Sequence, residues 1–255
     1  MSALDASEAK AQNQRTLNSL LLNSIGTELS AVIIVVKCID GTVVAADTQV
    51  IKSLDGSKRI EQIVHPLHEE VGVVWYAHAG TKTAKVVLQH TFGLDKPLLQ
   101  HISSPLVAAT AFLTTCTDYA HEALTSPNVK TQVIIIGANR AFQFTSLDGV
   151  FQGDYSAACR LEVAKFDEPD HGFYVGGCGE EEGTKLLLDI LRQRGLLTKD
   201  LRSMEVVEDI VLTVIRDMTV AEPDTYNSPV DVVKISAGAT HQRFIVAKDQ
   251  DPQGG

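Results

Sequence analysis

The chain has 255 residues, of which 44% are hydrophobic and 21% are charged, proportions typical of a globular protein that can bury a core. Acidic residues outnumber basic ones by 32 to 22, so the net charge is −10. Nucleic acids and anionic membranes bind basic surfaces, and neither is therefore expected as a partner. No uninterrupted apolar run approaches the length of a transmembrane span.

The cysteines indicate the compartment. The four cysteines have no C-x-x-C spacing, and no secretory signal precedes them. This usage predicts reduced thiols in a cytoplasmic protein, which in a eukaryote could also be nuclear.

The N-terminal 30 residues are predicted to form an extension or propeptide. Residues 1–14 are polar, as in a mobile tail. Residues 15–25 carry leucine and isoleucine at positions i, i+3, i+4 and i+8, which predicts a short amphipathic helix that ends at Gly26.

Residues 31–50 predict a β-hairpin. Five consecutive β-branched residues, 32–36, are typical of a strand that is covered on both faces. The pair Asp40-Gly41 favours a two-residue turn. The return strand then ends at Asp47, whose carboxylate can cap a turn by accepting a hydrogen bond from a nearby backbone N–H.

The remaining elements are predicted from periodicity and turn residues. A loop at 52–57 is followed by strands at 58–63 and 71–76, helices at 81–91 and 104–120, strands at 133–137, 141–144 and 161–166, helices at 180–194 and 205–220, and strands at 230–235 and 243–246. Because strands cluster and helices cluster, an α+β fold with antiparallel sheets is favoured over a βαβ fold. One domain is predicted over residues 31–248, with a polar tail at 249–255.

The hairpin also carries a family resemblance. The stretch VVKCIDGTVVAADTQV resembles the opening hairpin of proteasome-type subunits, which belong to the N-terminal nucleophile (Ntn) hydrolases. Residues 58–63 resemble the family's next short strand, and Ala79-Gly80 stands where the family begins a long helix. The resemblance implies a four-layer αββα sandwich of two antiparallel sheets flanked by helix pairs. It also implies a ring or barrel assembly that acts in intracellular protein degradation.

The resemblance further assigns a catalytic array. In active members a threonine freed by cleavage of a Gly-Thr bond is the nucleophile, and its own amine is the base. The positions that match the family's array are Ala31 (nucleophile), Asp47 (acid), Arg59 (lysine), Cys178 (serine of a Gly-Ser-Gly turn), Asp224 (late acid) and Asn227 (late serine). Ala31 has no hydroxyl, and Arg59 cannot readily change its protonation state. Such an array is expected to be inert.

The predicted function is therefore that of a noncatalytic structural subunit, with no cofactor. The turn at residues 177–181 and the 30-residue N-terminal extension resemble α-type subunits, but the N-terminal signature of α-type chains is absent from the sequence. The segment from Asp224 to residue 233 resembles β-type subunits. The chain is accordingly identified as a divergent, noncatalytic β-type proteasome subunit. Its expected partners are other proteasome-type subunits in a homo- or hetero-oligomeric ring.

Three alternatives stay open. Cleavage before Thr27 or Ser30 would give a threonine-type endopeptidase, although Thr27 lies about 13 Å upstream along an extended chain and Ser30 would face the opposite side of the strand. Cys178 could itself be a nucleophile, because its position at the start of a helix would lower its pKa. Against this, three glutamates follow it, and their negative charge disfavours the thiolate. The chain could also be a standalone binding module that keeps only the fold.

The histidines of the segment His65-Pro66-Leu67-His68 could suggest a metal site. Without a nearby acid or cysteine ligand set, they are interpreted as two solvated loop histidines, and no metal is expected.

Overall fold

The computed structural model describes residues 28–30, 32–52, 58–67, 74–79, 88–89, 91–92, 102, 104–115, 132–146, 159–163, 172–226, 229–237 and 240–245. The predicted helix at 15–25 and the predicted tails at 1–14 and 249–255 lie outside these residues. Of the predicted helix at 81–91, residues 88–89 are described, and they are helical, as are residues 91–92.

The described strands form three antiparallel sheets. They are β1 (Glu28–Ser30), β2 (Val32–Cys38), β3 (Gly41–Asp47), β4 (Gln49–Lys52), β5 (Lys58–Ile60), β6 (Val64–Pro66), β7 (Val74–Ala79), β8 (Gln132–Gly137), β9 (Ala141–Ser146), β10 (Cys159–Val163), β11 (Phe173–Gly177), β12 (Val230–Ile235) and β13 (Thr240–Ile245). We call β11-β2-β3-β12-β13 the first sheet and β10-β9-β8-β7-β6 the second sheet. The order β1-β4-β5 gives a small third sheet.

Three longer helices accompany these sheets. They are α1 (Pro105–Thr115), α2 (Glu180–Gln193) and α3 (Met204–Ala221), and a short 3-10 helix covers Lys199–Leu201. Within the described part of the chain, none of the helices is long and apolar enough to cross a membrane. The predicted α+β class with antiparallel sheets is confirmed.

The hairpin β2–β3 forms as predicted, but its turn lies one residue earlier. Cys38 pairs with Gly41, so the two turn residues are Ile39 and Asp40. Gly41 has φ 152°, and a Cβ there would lie 2.2 Å from the carbonyl oxygen of Ile235 on β12. The glycine is thus required by the close approach of a neighbouring strand rather than by the turn itself.

Other boundaries differ from the sequence predictions. The single strand expected at 58–63 is two short strands, because β5 pairs with β4 whereas β6 pairs with β7. The strand expected at 71–76 is described from Val74 and extends to Ala79. The sequence does not predict β11, since its glycines are typical of the turn before α2. It does not predict β1 either, which lies in the segment expected to be an extension.

The two large sheets pack face to face through apolar side chains. This inter-sheet cluster consists of Ile33, Val35, Val44, Ala46, Ile63, Val64, Trp75, Ala77, Ala79, Ile134, Ile136, Ala141, Tyr174, Val233 and Ile235. Alternate residues of the same strands face the other way, as the period of a strand requires. On the first sheet those residues contact α2 and α3, and on the second sheet they contact α1.

A buried arginine fixes the segment between α2 and α3. Arg202 is fully buried, and its Nε donates a hydrogen bond to the carbonyl oxygen of Leu196 at 2.6 Å. Its Nη2 donates to the carbonyl oxygen of Leu197. The backbone carbonyl of Arg202 accepts a hydrogen bond from the N–H of Ile39 at 2.9 Å. One residue therefore joins this segment to the hairpin turn.

Replacing this arginine is expected to be costly. Arg202→Met leaves the carbonyl oxygens of Leu196 and Leu197 without their donors and should lower the free energy of unfolding by about 3 kcal/mol. Urea unfolding followed by circular dichroism measures the change. Arg216→Met is the matched control, because the Arg216 side chain is 62% exposed, and it should change stability by less than about 0.5 kcal/mol. Equal effects of the two substitutions would contradict this account of Arg202.

Candidate functional site

Five strand ends meet at one edge of the first sheet. β2 begins at Val32 opposite the last residue of β11, Gly177. β3 ends at Asp47, opposite the first residue of β12, Val230. Val230 in turn lies opposite Ile245, the last residue of β13. Side chains that follow or end these strands are thus gathered at one edge, as the antiparallel order dictates.

Asp47 is fully buried at this edge. Its Oδ1 accepts a hydrogen bond from the backbone N–H of Gln49 at 2.8 Å. A carboxylate that binds the N–H two residues later forms an Asx-type turn, which agrees with the turn-capping interpretation of Asp47. This turn ends β3 and redirects the chain into β4.

Cys178 and Tyr226 lie close to this carboxylate. Cys178 is a free, half-buried thiol. Burial first, and the charge of Asp47 second, raise its pKa above the ordinary value. Burial also raises the pKa of Tyr226 to about 12, with contributions from Glu222, Cys178, Glu182 and Asp47. Asp47, Cys178 and Tyr226 are called the strand-end cluster below, and at neutral pH its thiol and phenol are both protonated.

A glycine is required between this cluster and α2. Gly179 precedes α2 with φ 80°. A Cβ there would lie 2.1 Å from the Tyr226 Oη and 2.6 Å from Met218 Cε. The three glutamates in the first turn of α2 are at the end that favours negative charge. The sequence predicted that these glutamates would disfavour the Cys178 thiolate. In the structure the pKa of Cys178 is raised by its burial and by Asp47 instead.

Gln132 links the two large sheets beside the cluster. This residue is buried at the start of β8, and its Oε1 accepts a hydrogen bond from the N–H of Gly177 at 2.6 Å. Its Nε2 donates to Glu180 Oε2 at 3.0 Å. Tyr174 lies on β11, the strand that ends at Gly177. Its Oη occupies the space beside Gly176, where a Cβ would be 2.1 Å away. Burial and then Glu180 raise the pKa of Tyr174.

A second set of contacts holds the loop before β12. Thr48 Oγ1 donates to the carbonyl oxygen of Pro229 at 2.5 Å. Gln49 Nε2 donates to the carbonyl oxygens of Asp224 and Thr225 at 2.9 and 3.1 Å. The loop therefore attaches to the chain just after β3.

The two aspartates that the family resemblance assigns to the catalytic array, Asp47 and Asp224, lie in different environments. The Asp224 side chain is fully exposed, and it pairs with Lys58 Nζ at 3.0 Å. Asp47, in contrast, is fully buried. The backbone of Arg59 lies in β5 opposite Val50. Lys58, which pairs with Asp224, is the neighbour of Arg59 in this strand.

Several predicted site residues are outside the described part of the chain. These are Ala31, Thr27 and Asn227. Ser30 is described as the last residue of β1, where it pairs with Val50. Residues 28–30 are thus attached to β4 directly upstream of the position assigned to a nucleophile.

The half-buried His65 and the buried His78 pair on the outer face of the second sheet. His65 on β6 and His78 on β7 have ring centroids 6.2 Å apart, so His65 is not the solvated loop residue that was expected. His68 lies outside the described residues. Burial, followed by the charge of His65, lowers the pKa of His78 to about 3. Among the residues that can be described, no three histidine, cysteine or acidic side chains form a metal-binding group.

Tyr226, Gln132 and Gln49 are not singled out by the sequence. The two glutamines act on partners between 45 and 176 residues away, which no local pattern reveals. Tyr226 is the one with a local signal, because it stands inside the segment that resembles the family's late acid and serine.

Comparison with known proteins identifies the fold. Neither a protein-family model nor a curated protein matches the sequence. Solved structures do match. The Anbu (Gly-1) mutant from Hyphomicrobium sp. strain MC1 gives a TM-score of 0.56 at 16% identity, covering 86% of this chain and 89% of that chain. Anbu from the same strain, in another structure, gives 0.57 at 16% identity, covering 86% and 88%.

A third structure has the same relation to this chain. The helical assembly of the Anbu complex from Pseudomonas aeruginosa gives a TM-score of 0.56 at 13% identity, covering 86% of this chain and 88% of that chain. The identification as a divergent noncatalytic β-type proteasome subunit is therefore wrong, because the fold matches Anbu proteins along most of both chains. The match shows a shared fold, and the proteasome-type resemblance is a looser relation.

Substituting Gly179 tests the packing of the cluster. Gly195 is a matched control, because it has φ 69° and a Cβ there would meet no described atom within 4 Å. Gly195→Ala should cost about 1 kcal/mol from its left-handed backbone alone. Gly179→Ala should cost about 3 kcal/mol, since its Cβ also overlaps Tyr226. The loss is measured by urea unfolding.

Removing the hydroxyl should relieve part of this cost. The double variant Gly179→Ala/Tyr226→Phe is expected to be at least about 1 kcal/mol more stable than the sum of the single effects predicts. Strictly additive losses would show that the Tyr226 hydroxyl does not limit the space at Gly179.

The buried histidine predicts a dependence of stability on pH. Unfolded His78 takes up a proton near pH 6.5, whereas folded His78 does so only near pH 3. Stability is therefore complete above pH 6.5 and is lost as the pH falls, by about 2 kcal/mol between pH 7 and pH 5. Urea unfolding at both pH values measures the loss. In His78→Gln the loss should shrink by this amount, and an unchanged loss would refute the assignment.

Proposed function

We propose that this chain is a subunit of a proteasome-like oligomeric assembly similar to Anbu. The observation that supports it most is the shared fold, which spans 86% of this chain and 88–89% of three Anbu chains. One of those structures is a helical assembly. A head-to-tail contact between copies gives a ring when the rotation closes and a helix when it does not, so either form fits the proposal.

We infer that the subunit does not hydrolyse peptides. Residue 31, which the resemblance makes the nucleophile position, is an alanine. The strand-end cluster supports the inference, since burial and Asp47 keep the Cys178 thiol protonated and a thiolate is the reactive form. The tyrosine of the cluster is held protonated in the same way. A place in intracellular protein degradation and a cytoplasmic location are part of this proposal.

We also propose that the complete chain has the four-layer αββα order. The inter-sheet cluster supplies the central contact between the sheets. Helices α2 and α3 pack on the outer face of the first sheet. Helix α1, together with Leu88 and Phe92, packs on the outer face of the second sheet. Each layer of the proposed sandwich thus has a described representative.

The proposal predicts a large assembly without peptidase activity. Light scattering should give a mass that is a multiple of 27.6 kDa. Fluorogenic peptides should be hydrolysed no faster than in buffer. The intact mass should show that the residues before Ala31 are retained.

Processing would distinguish the alternatives. A mature chain that begins at Thr27 keeps all of β1, whereas one that begins at Ser30 loses two of its three residues. Hydrolysis that Thr27→Ala or Ser30→Ala abolishes would overturn the noncatalytic inference. A monomer at all concentrations would overturn the assembly and favour a standalone module.

A further inference from the structure

Three large aliphatic side chains are exposed together where the hairpin β2–β3 turns. Ile39 is 71% exposed, Leu201 is 63% exposed and Val206 is 39% exposed. They come from three segments: the hairpin turn, the short 3-10 helix and the first turn of α3. Single exposed aliphatic residues are common, but a group from separate segments on one surface marks an interaction site. We call these residues the hairpin-end patch.

The segments that carry the patch are fixed to one another. The backbone N–H of Ile39 donates to the carbonyl oxygen of Arg202 at 2.9 Å, and the N–H of Met204 donates to Asp40 Oδ1 at 2.9 Å. The Met204 Sδ would lie 2.8 Å from a Cβ on Gly41, so the start of α3 touches the hairpin. A surface that is ordered beforehand loses little conformational entropy when a partner binds.

The patch lies away from the strand-end cluster. β3 runs from Gly41, beside the patch, to Asp47 in the cluster. Six residue steps of an extended strand separate these ends by about 20 Å. A contact at the patch therefore lies at the opposite end of the first sheet from the buried cluster.

The charges beside the patch suit a second copy of this chain. The whole chain has a net charge of −10, so two copies repel each other over most of their surfaces. Two lysines and three acidic residues flank the patch residues in the sequence: Lys37, Lys199, Asp40, Asp200 and Glu205. With two positive and three negative charges this surface is nearly neutral, so it repels a second copy less than the rest of the acidic chain does.

We propose that the hairpin-end patch is a contact between copies of this chain. The inference rests on the proposed function, since it names the surface through which the assembly forms. The three aliphatic side chains form the desolvated centre of the contact, and the flanking charged residues form its rim. Truncating a central aliphatic residue should therefore weaken the assembly more than truncating other exposed residues does.

The test compares two double variants that add the same charge. Ile39→Asp/Leu201→Asp changes the patch. Val107→Asp/Val220→Asp is the control, because Val107 on α1 is 53% exposed and Val220 at the end of α3 is 78% exposed. Sedimentation velocity over a range of concentrations measures the assembly, and circular dichroism checks the fold. We expect the patch variant to dissociate with a Kd raised at least about 100-fold, while the control assembles like the wild type.

A milder pair covers the case in which the aspartates disturb folding. Ile39→Ala/Leu201→Ala should still raise the Kd by about 10-fold. If the wild type and every variant assemble equally, the patch proposal fails and the proposed function stands. If both aspartate variants dissociate alike, added charge is the cause and the patch proposal also fails. A monomeric wild type would remove the proposed function together with this inference.

Discussion

The whole arrangement depends on β3 being covered on both faces. Val44 and Ala46 face the second sheet, whereas Val43 and Ala45 face α2 and α3. A strand in this position has no solvent-facing side, so it tolerates only apolar or small residues until it ends. Asp47 is the first acidic residue of this strand, and it is fully buried. In its Asx-type turn the N–H of Gln49 donates a hydrogen bond to the carboxylate in place of water. The same turn directs the chain into β4 and the small third sheet.

The edge near Asp47 is built from polar groups that bind neighbouring backbone. Gln132 spans the two sheets, Gln49 holds the loop before β12, and Tyr226 packs against Gly179. These contacts stabilise the junction of strands and helix, and the same burial keeps the Cys178 thiol in its neutral form. At the opposite end of the first sheet, the hydrogen bonds of Arg202 attach the segment between α2 and α3 to the hairpin turn.

Local sequence patterns predicted those helices and strands that are specified by their own residues. The amphipathic periods of α2 and α3 fixed both helices to within about one residue, and the β-branched run gave β2. β1 and β11 were missed, because a strand of three residues or one rich in glycine is specified by its partner and not by its own sequence. His65 and His78 meet only because β6 pairs with β7, and Lys58 meets Asp224 across 166 residues. A resemblance over about twenty residues was too short to identify the protein, and the β-type proteasome identification drawn from it was wrong.

The strand pairing also determines where the two ends of the described fold lie. Ser30 enters the fold just before Val32, and Ile245 leaves it opposite Val230, so both lie at the edge that contains Asp47. β2 and β13 are three strand spacings apart, about 14 Å. A shortened chain that ran from Ser30 to Ile245 could consequently have its two ends joined by a linker of a few residues, which makes this fold suited to circular permutation.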